Sequence, residues 1–218
     1  MLTTLQLYDL SHSLAGQYLT GFEYPWQALS GIKNLILTLG PGLDEAYEEV
    51  SPAVWVHKTA VIAPTAYLGA PCIIGAGTEI RHCAFIRGSA LVGENCVVGN
   101  SVELKNVILF DNVQVPHYNY VGDSILGYKS HMGAGSVTSN VKSDQTLVVA
   151  RNGDEKIETG LKKFGAMLGD FVEVGFNSVL NPGTVIGRHS NVYPTSCVRG
   201  MIPENCIWKN TGVVVQKI

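Results

Sequence analysis

The 218-residue chain predicts an all-β fold: a parallel β-helix of hexapeptide repeats, with a short α-helical N-terminal cap and an inserted β-hairpin flap. Three observations predict it. An aliphatic residue returns every six positions at Ile62, Leu68, Ile74, Ile80, Ile86, Val92, Val98 and Leu104, and again at Leu168, Val174, Leu180, Ile186, Val192 and Val198. With 46% hydrophobic residues overall, eight hits in succession have a chance probability of roughly 0.002 in a given frame. A mostly small residue follows four positions later, as at Ala66, Cys72, Thr78, Ala84, Ser178 and Ser196, and glycine often follows the aliphatic residue directly, as at Gly75, Gly93 and Gly187. A period of six fits neither a 3.6-residue helix nor an alternating hairpin sheet. It fits a solenoid in which each flat face carries one inward aliphatic, a small residue sits where the chain bends, and glycine relieves the corner.

The elements follow in order. Residues 1–55 lack the hexad and are expected to form the cap. Pro25 opens a helix, the series Trp26, Leu29, Ile32, Ile36 and Leu39 recurs at helical spacing, and Gly40-Pro41-Gly42 ends it. Asp44 to Glu49 adds a further helical turn, and the segment is expected to cover one end of the solenoid, whose open coil exposes unpaired strand edges. Residues 56–210 form the β-helix. Its step shortens to five between Leu104 and Leu109 and between Val121 and Leu126, which predicts tightened corners. The hexad stops over about 141–163. There TLVVA and EKIET flank Arg151-Asn152-Gly153-Asp154, and Asn-Gly is a strong hairpin signal. A two-stranded flap over 146–159 is expected to project from the solenoid, and 211–218 is a C-terminal tail.

Composition narrows the function classes. The net charge is −3, from 15 Lys+Arg against 18 Asp+Glu, which argues against general nucleic-acid or anionic-membrane binding. Apolar runs are too short for a transmembrane helix. MLTTLQLYDL has no basic region before an apolar stretch, so no signal peptide is read and a cytoplasmic location is expected. The five cysteines contain no C-x-x-C pair and read as small hydrophobes in a reducing compartment.

Two places carry chemistry. Arg87 and Lys105 stand 18 residues apart where glycine is usual, so in a three-faced coil they stack on one edge. Two cations roughly 5 Å apart repel, which suggests a phosphate between them; the plain alternative is a solvated edge with each cation offset by an acid such as Glu103. The densest polar text is Pro116-His117-Tyr118-Asn119-Tyr120-Val121-Gly122-Asp123, where His117 suits a general base near neutral pH. The histidines show no compact ligand spacing, so no metal is expected.

The text FIRGSALVGENCVVGNSVELKNVIL, with HYNYVGD, GAG and SN after it, resembles the acetyltransferase half of bifunctional N-acetylglucosamine-1-phosphate uridyltransferases and the related C-terminal domains of sugar-1-phosphate nucleotidylyltransferases. The resemblance covers about residues 62 to 205 and keeps the Arg87–Lys105–His117–Tyr120 spacings. It implies a left-handed β-helix with three faces per coil. It also implies that His117 is the base toward the sugar amine, that Arg87, Lys105 and Tyr120 hold the sugar phosphate, and that Lys163 is a second phosphate-side lysine. His131 stands at the sugar where the family has asparagine; Ala134 and Asn140 lie toward the acyl donor, acetyl-CoA. Phe176 and Pro194 replace small residues along the coenzyme A groove, and Val141 and Lys142 replace aromatic and acidic residues. No G-x-G-x-R segment appears, so pyrophosphorylase activity is not expected, and residues around Tyr24-Pro25-Trp26 look like a remnant of a linker helix. The implied activity is acetyl transfer to an amino-sugar 1-phosphate by a homotrimer. The alternative is a non-catalytic trimer that binds a sugar phosphate or UDP-sugar and partners a separate nucleotidyltransferase.

Overall fold

The computed structural model describes residues 1–217, and the chain winds into a left-handed parallel β-helix with three faces. The first face stacks Val61–Ile62, Glu79–Ile80, Val97–Asn100, Gln114–His117, His131–Met132, Glu173–Val174, Asn191–Val192 and Cys206–Trp208. The second stacks Tyr67–Leu68, Phe85–Ile86, Val137–Thr138, Val179–Leu180 and Cys197–Val198. The third stacks Val54–His57, Cys72–Ile74, Ala90–Val92, Ala166–Leu168, Thr184–Ile186 and Met201–Ile202. Two long strands, Glu103–Leu109 and Tyr120–Leu126, run from the second face to the third without a break. They are the places where the hexad steps by five, so the shortened spacing keeps the ladder continuous around the corner.

The inward rows are mostly aliphatic and, between the first and last coils, buried, with Thr138 the polar member of the second-face row. Ile80, Val98, Val115, Met132 and Val174 fill one side of the interior, and Ile86, Leu104, Val121, Leu180 and Val198 another. The small residues lie at the inner corners, and several of their hydroxyls satisfy backbone groups there. Thr78 Oγ1 donates to the Gly93 carbonyl at 2.7 Å, and Ser196 Oγ to the Tyr193 carbonyl at 2.6 Å. Glycine serves the corner through proximity rather than through φ: a Cβ on Gly75 would sit 2.4 Å from the Gly93 carbonyl oxygen of the next coil. The left-handed residue comes two positions later and is often asparagine, as at Asn95 (φ 52) and Asn112 (φ 61), a side chain that tolerates that region.

The N-terminal segment is helical, but it lies along the flank of the solenoid rather than over its end. Thr4–Leu7 is capped by a reciprocal Thr3–Gln6 box. Pro25–Gly31 is a 3-10 stretch that leads into the α-helix Ile32–Leu39, and Trp26, Leu29, Ile32 and Ile36 are buried on the third face. Tyr8 Oη donates to the Ile125 carbonyl at 3.3 Å, and Asn106 Nδ2 to the Leu29 carbonyl at 3.2 Å. The reason is an unbroken outward row of large aliphatic side chains on this face: Ile73, Leu91, Ile108, Ile125, Met167 and Val185 are all buried. The expected helical turn over Asp44 to Glu49 is instead part of a strand, Tyr47–Ser51, antiparallel to Val54–His57; this hairpin closes the first coil. At the other end the tail folds back as Val214–Gln216 on Cys206–Trp208.

The flap is a hairpin of Val149–Asn152 and Glu155–Glu158. Asn152 pairs with Glu155, so Gly153 (φ 58) and Asp154 form the turn, one residue later than Asn-Gly pairing alone would place it. The hairpin does not project. Val148 and Ala150 are buried against the third face, and the Met1 ammonium meets Glu155 Oε2 at 2.7 Å near its turn. No helix among the described residues is long and apolar enough to cross a membrane.

Candidate functional site

The corner between the second and third faces carries a polar cluster. Arg87 and Lys105 stack there on neighbouring coils, as the spacing predicts, with Gly122 in the next position of the row. Neither cation is free. Arg87 Nη1 lies 2.8 Å from Glu103 Oε1, and that hydrogen bond raises the guanidinium pKa further. Lys105 Nζ lies 3.0 and 3.2 Å from the two carboxylate oxygens of Asp123. Each cation is therefore offset by an acid, in an exposed pair at Arg87 and a largely buried one at Lys105, and an incoming phosphate would have to compete with two carboxylates.

Asp123 organises the cluster. It sits in the middle of Tyr120–Leu126 at φ 48, is 4% exposed, and also receives Asn106 Nδ2 at 2.9 Å and Asn140 Nδ2. Asn140 Nδ2 lies 3.1 Å from the Tyr120 hydroxyl as well. The Tyr120 ring folds back over its own strand, so a Cβ on Gly122 would sit 2.5 Å from the phenolic oxygen. Glycine at this place in the row is what lets the ring lie down. Burial, with Asp123 as a smaller cause, pushes the Tyr120 phenol above its usual pKa, so it stays a neutral donor. Lys163 is exposed beside the cluster: the amide of the next residue, Phe164, donates to the Asn140 carbonyl at 3.0 Å.

His117 ends Gln114–His117 at the corner between the first and second faces, with its side chain exposed. Its amide donates to Asn119 Oδ1 at 3.2 Å and its carbonyl accepts from Gly135 N at 3.0 Å. Asn119 is buried inside this corner and donates to the Gly133 and Ser136 carbonyls, so it pins the turn that presents His117 and Tyr120. The sequence marks Asn119 only as poor solenoid filler; an amide at an interior small-residue position is the signal that finds it. The backbone ladder places His82, Asn100, His117, Ala134, Phe176 and Pro194 in one vertical row. Beside it Tyr118, Ala134, Gly135 and Phe176 line an open hollow of about 500 Å³, with Phe176 58% exposed.

Two expected neighbours are apart. Asn140, expected with Ala134 on the acyl-donor side, belongs instead to the Lys105–Asp123–Tyr120 cluster one corner away, because its side chain completes the Asp123 carboxylate. His131, expected at the sugar, stands on the open first face with Nδ1 2.8 Å from Glu173 Oε2, away from Arg87 and Lys105. Within one chain the predicted residues therefore divide between the first face with its His117 corner and the cationic corner beyond the second face.

A protein-family profile described as the GMPPB C-terminal domain matches residues 84–186. The bifunctional protein GlmU of Methanococcus maripaludis is 30% identical over 204 residues, which is 92% of this chain and 49% of that protein. The bifunctional sugar-1-phosphate nucleotidylyltransferase/acetyltransferase of Sulfurisphaera tokodaii is 29% identical over 178 residues, 80% of this chain and 44% of that one. Among solved structures, a hexapeptide transferase family protein from Anaplasma phagocytophilum shares 15% identity at a TM-score of 0.42, covering 75% of this chain and 78% of that one. The chain thus spans about half the length of the curated relatives it matches. Through its hexapeptide-repeat β-helix it is a homologue of the GlmU-type bifunctional sugar-1-phosphate nucleotidylyltransferase/acetyltransferases.

Proposed function

We propose that this protein is an acyltransferase that moves the acetyl group of acetyl-CoA onto the amine of an amino-sugar 1-phosphate of the glucosamine-1-phosphate type. The observation that carries the proposal is the row at one corner: an exposed His117, its backbone fixed by Asn119, directly above Ala134 and the hollow beside it. His117 takes a proton from the amine as nitrogen adds to the thioester carbonyl. The amine–carbon bond forms, the carbon–sulfur bond breaks, and the thiol leaves. No cysteine or serine is adjacent to His117 in the sequence, so the transfer is direct. Arg87 and Lys105 receive the sugar phosphate by exchanging Glu103 and Asp123 for phosphoryl oxygens, with Tyr120 as a neutral donor beside them and Lys163 at the margin.

We further propose that the site is completed in a homotrimer. A groove between the first face of one subunit and the second face of the next would bring His131 toward the residues from which one chain separates it. The apolar residues on the second face, Tyr67, Phe85 and Val179, are exposed in the single chain and give such a groove something to bury.

The test is thiol release from acetyl-CoA with glucosamine-1-phosphate and a panel of other amino-sugar phosphates. His117→Ala is expected to lower kcat by roughly 100- to 10,000-fold with a modest change in sugar affinity. Light scattering at micromolar concentration is expected to give three times the chain mass; a mass near 23 kDa would sink the shared groove.

A second reading has its own observation. Phe176 and Pro194 follow Ala134 in the His117 row, on the path a coenzyme A chain would take along the coils. Tight sugar-phosphate binding without thiol release would make this a non-catalytic sugar-phosphate-binding trimer that partners a separate nucleotidyltransferase.

A further inference from the structure

Five arginines occur in the chain. Arg81, Arg87 and Arg188 each meet a carboxylate, at 3.0, 2.8 and 3.2 Å. The other two, Arg151 and Arg199, have no ion-pair partner among the described residues, and both line the same cavity. It holds about 160 Å³ between the flap and the solenoid and also takes in Lys142, whose ammonium meets Asp144 at 3.3 Å.

The cavity is built by the flap's close approach. Gly183 (φ 83) and Gly200 (φ 74) form the floor where the second face turns into the third. A Cβ on Gly183 would sit 2.9 Å from Val148 Cγ1, and one on Gly200 would sit 3.1 Å from the Arg151 carbonyl oxygen. Only glycine lets the hairpin lie so near at these dihedrals. The approach brings Arg151, from Val149–Asn152, to Arg199, which follows Cys197–Val198. In the hairpin Arg151 also stands directly opposite Lys156. Like charges held together raise the free energy of the empty pocket, and a concave wall focuses their field. The guanidinium fork matches tetrahedral oxyanions in geometry as well as charge.

Arg199 occupies the same vertical row as Arg87 and Lys105, through Gly122, Ser139 and Asn181. At about 4.8 Å per coil, four coils put it roughly 19 Å from Lys105. The two cationic places on this edge are therefore separate.

We propose that Arg151 and Arg199 form a second anion site, which takes the phosphoryl group of a phosphorylated small molecule. The cavity admits one phosphoryl group with its nearest waters and leaves the remainder of a larger ligand outside. The proposal stands apart from the acyl-transfer reading, because none of its residues belongs to the His117 or Lys105 clusters.

The experiment is calorimetric titration of the full chain at low ionic strength, where exposed cations are least screened, with inorganic phosphate and with uridine diphosphate as probes. Arg151→Gln and Arg199→Gln are each expected to weaken one binding event by roughly tenfold, and the double variant to abolish it. Lys105→Gln is expected to leave that event unchanged. Uridine diphosphate bound tenfold or more tightly than phosphate, and lost in the double variant, identifies a nucleotide as the source; equal affinities identify free phosphate. Thermal unfolding without ligand checks that the variants fold. Should one fail, Arg199→Lys keeps the charge and is expected to bind, less tightly. A double variant that keeps every wild-type binding event at unchanged affinity overturns the site, as does a wild-type chain that binds neither probe at millimolar concentration.

Discussion

The third face of the solenoid and its other two faces share one interior and differ only in their outward rows. On the third face that row reads Ile73, Leu91, Ile108, Ile125, Met167 and Val185, and the N-terminal helices and the flap bury all of it. On the first face it reads Glu79, Val97, Gln114, His131, Glu173 and Asn191, and on the second it reads Tyr67, Phe85, Glu103, Tyr120, Val137, Val179 and Cys197, with the apolar members left uncovered in the single chain. Hexapeptide repeats supply three flat walls of equal shape. One wall is devoted to stability and is closed; the polar and titratable residues are displayed on the other two and their corners.

The largest expected effect on stability falls on the closed wall. Trp26 is 1% exposed and stacks on Phe164 with ring centroids 5.5 Å apart, so it joins the helical segment to the residue that ends the flap insertion. Trp26→Ala is expected to cost about 3–5 kcal/mol in chemical denaturation, as large-to-small core changes do. Phe85→Ala, on an open wall at 42% exposure, is expected to cost under about 1 kcal/mol in the monomer. Equal costs would mean that the helices ride on the solenoid without supporting it.

The contrast between walls is where the sequence is informative and where the hexad alone misleads. The inward rows are legible because a solenoid interior admits only one aliphatic per face, and the five-residue steps at Leu104–Leu109 and Val121–Leu126 mark real tightened corners. The covered face is also written in the sequence, as apolar doublets at Ile73-Ile74, Leu91-Val92, Ile108-Leu109, Ile125-Leu126 and Val185-Ile186. A search for one aliphatic every six passes over them, and so the cap is expected at the coil end and the flap is expected to stand away. In the site, Arg87 and Lys105 stack as their 18-residue spacing requires. Their neutralisation by Glu103 and Asp123 is only half legible: Glu103 is two residues from Lys105 but pairs with Arg87, and Asp123 meets Lys105 from one position past Gly122, the row neighbour of Lys105 in a coil one residue short. The separation of Ala134 from Asn140 and the isolation of His131 on another face depend on which corner a residue occupies, and spacing reports that only once every coil length is known.

The two ion pairs offer a smaller effect that sharpens the same comparison. Lys105 and Asp123 have side chains 24% and 6% exposed, whereas Arg87 and Glu103 have side chains 47% and 33% exposed. Lys105→Ala leaves a buried carboxylate with only amide donors, and is expected to destabilise by about 1–3 kcal/mol. Arg87→Ala removes an exposed, solvent-screened pair and is expected to destabilise much less than Lys105→Ala does. Toward a phosphorylated sugar the two should behave alike, each raising KM by roughly tenfold with little change in kcat, because they meet charge already present in the ground state. A fall in kcat equal to that of His117→Ala for either variant would move these cations from binding into the chemistry.

The smallest effect to measure is the reactivity of the five thiols, which samples interior and open walls at once. Cys72 and Cys96 are buried, and burial pushes both thiols up to about 12; Cys206 is also buried and raised. At pH 8 a thiol with that pKa holds roughly one part in 10,000 as thiolate, against about a quarter for an ordinary cysteine. Cys83 and Cys197 are exposed, the first at a left-handed corner and the second on the open second face, where its sulfur lies 3.1 Å from Asn181 Nδ2. Native protein treated with a maleimide or a disulfide reagent is therefore expected to titrate two fast thiols, with three more released only on unfolding. Mass mapping assigns them. Fast labelling of Cys72 or Cys96 would contradict a sealed interior. Between the open sites the rates carry further information: a second copy lying on the second face would slow Cys197 and leave a cysteine outside the contact unchanged. Labelling as a function of protein concentration then reads out whether the second wall is closed by assembly in the way that the third is closed by the chain's own helices.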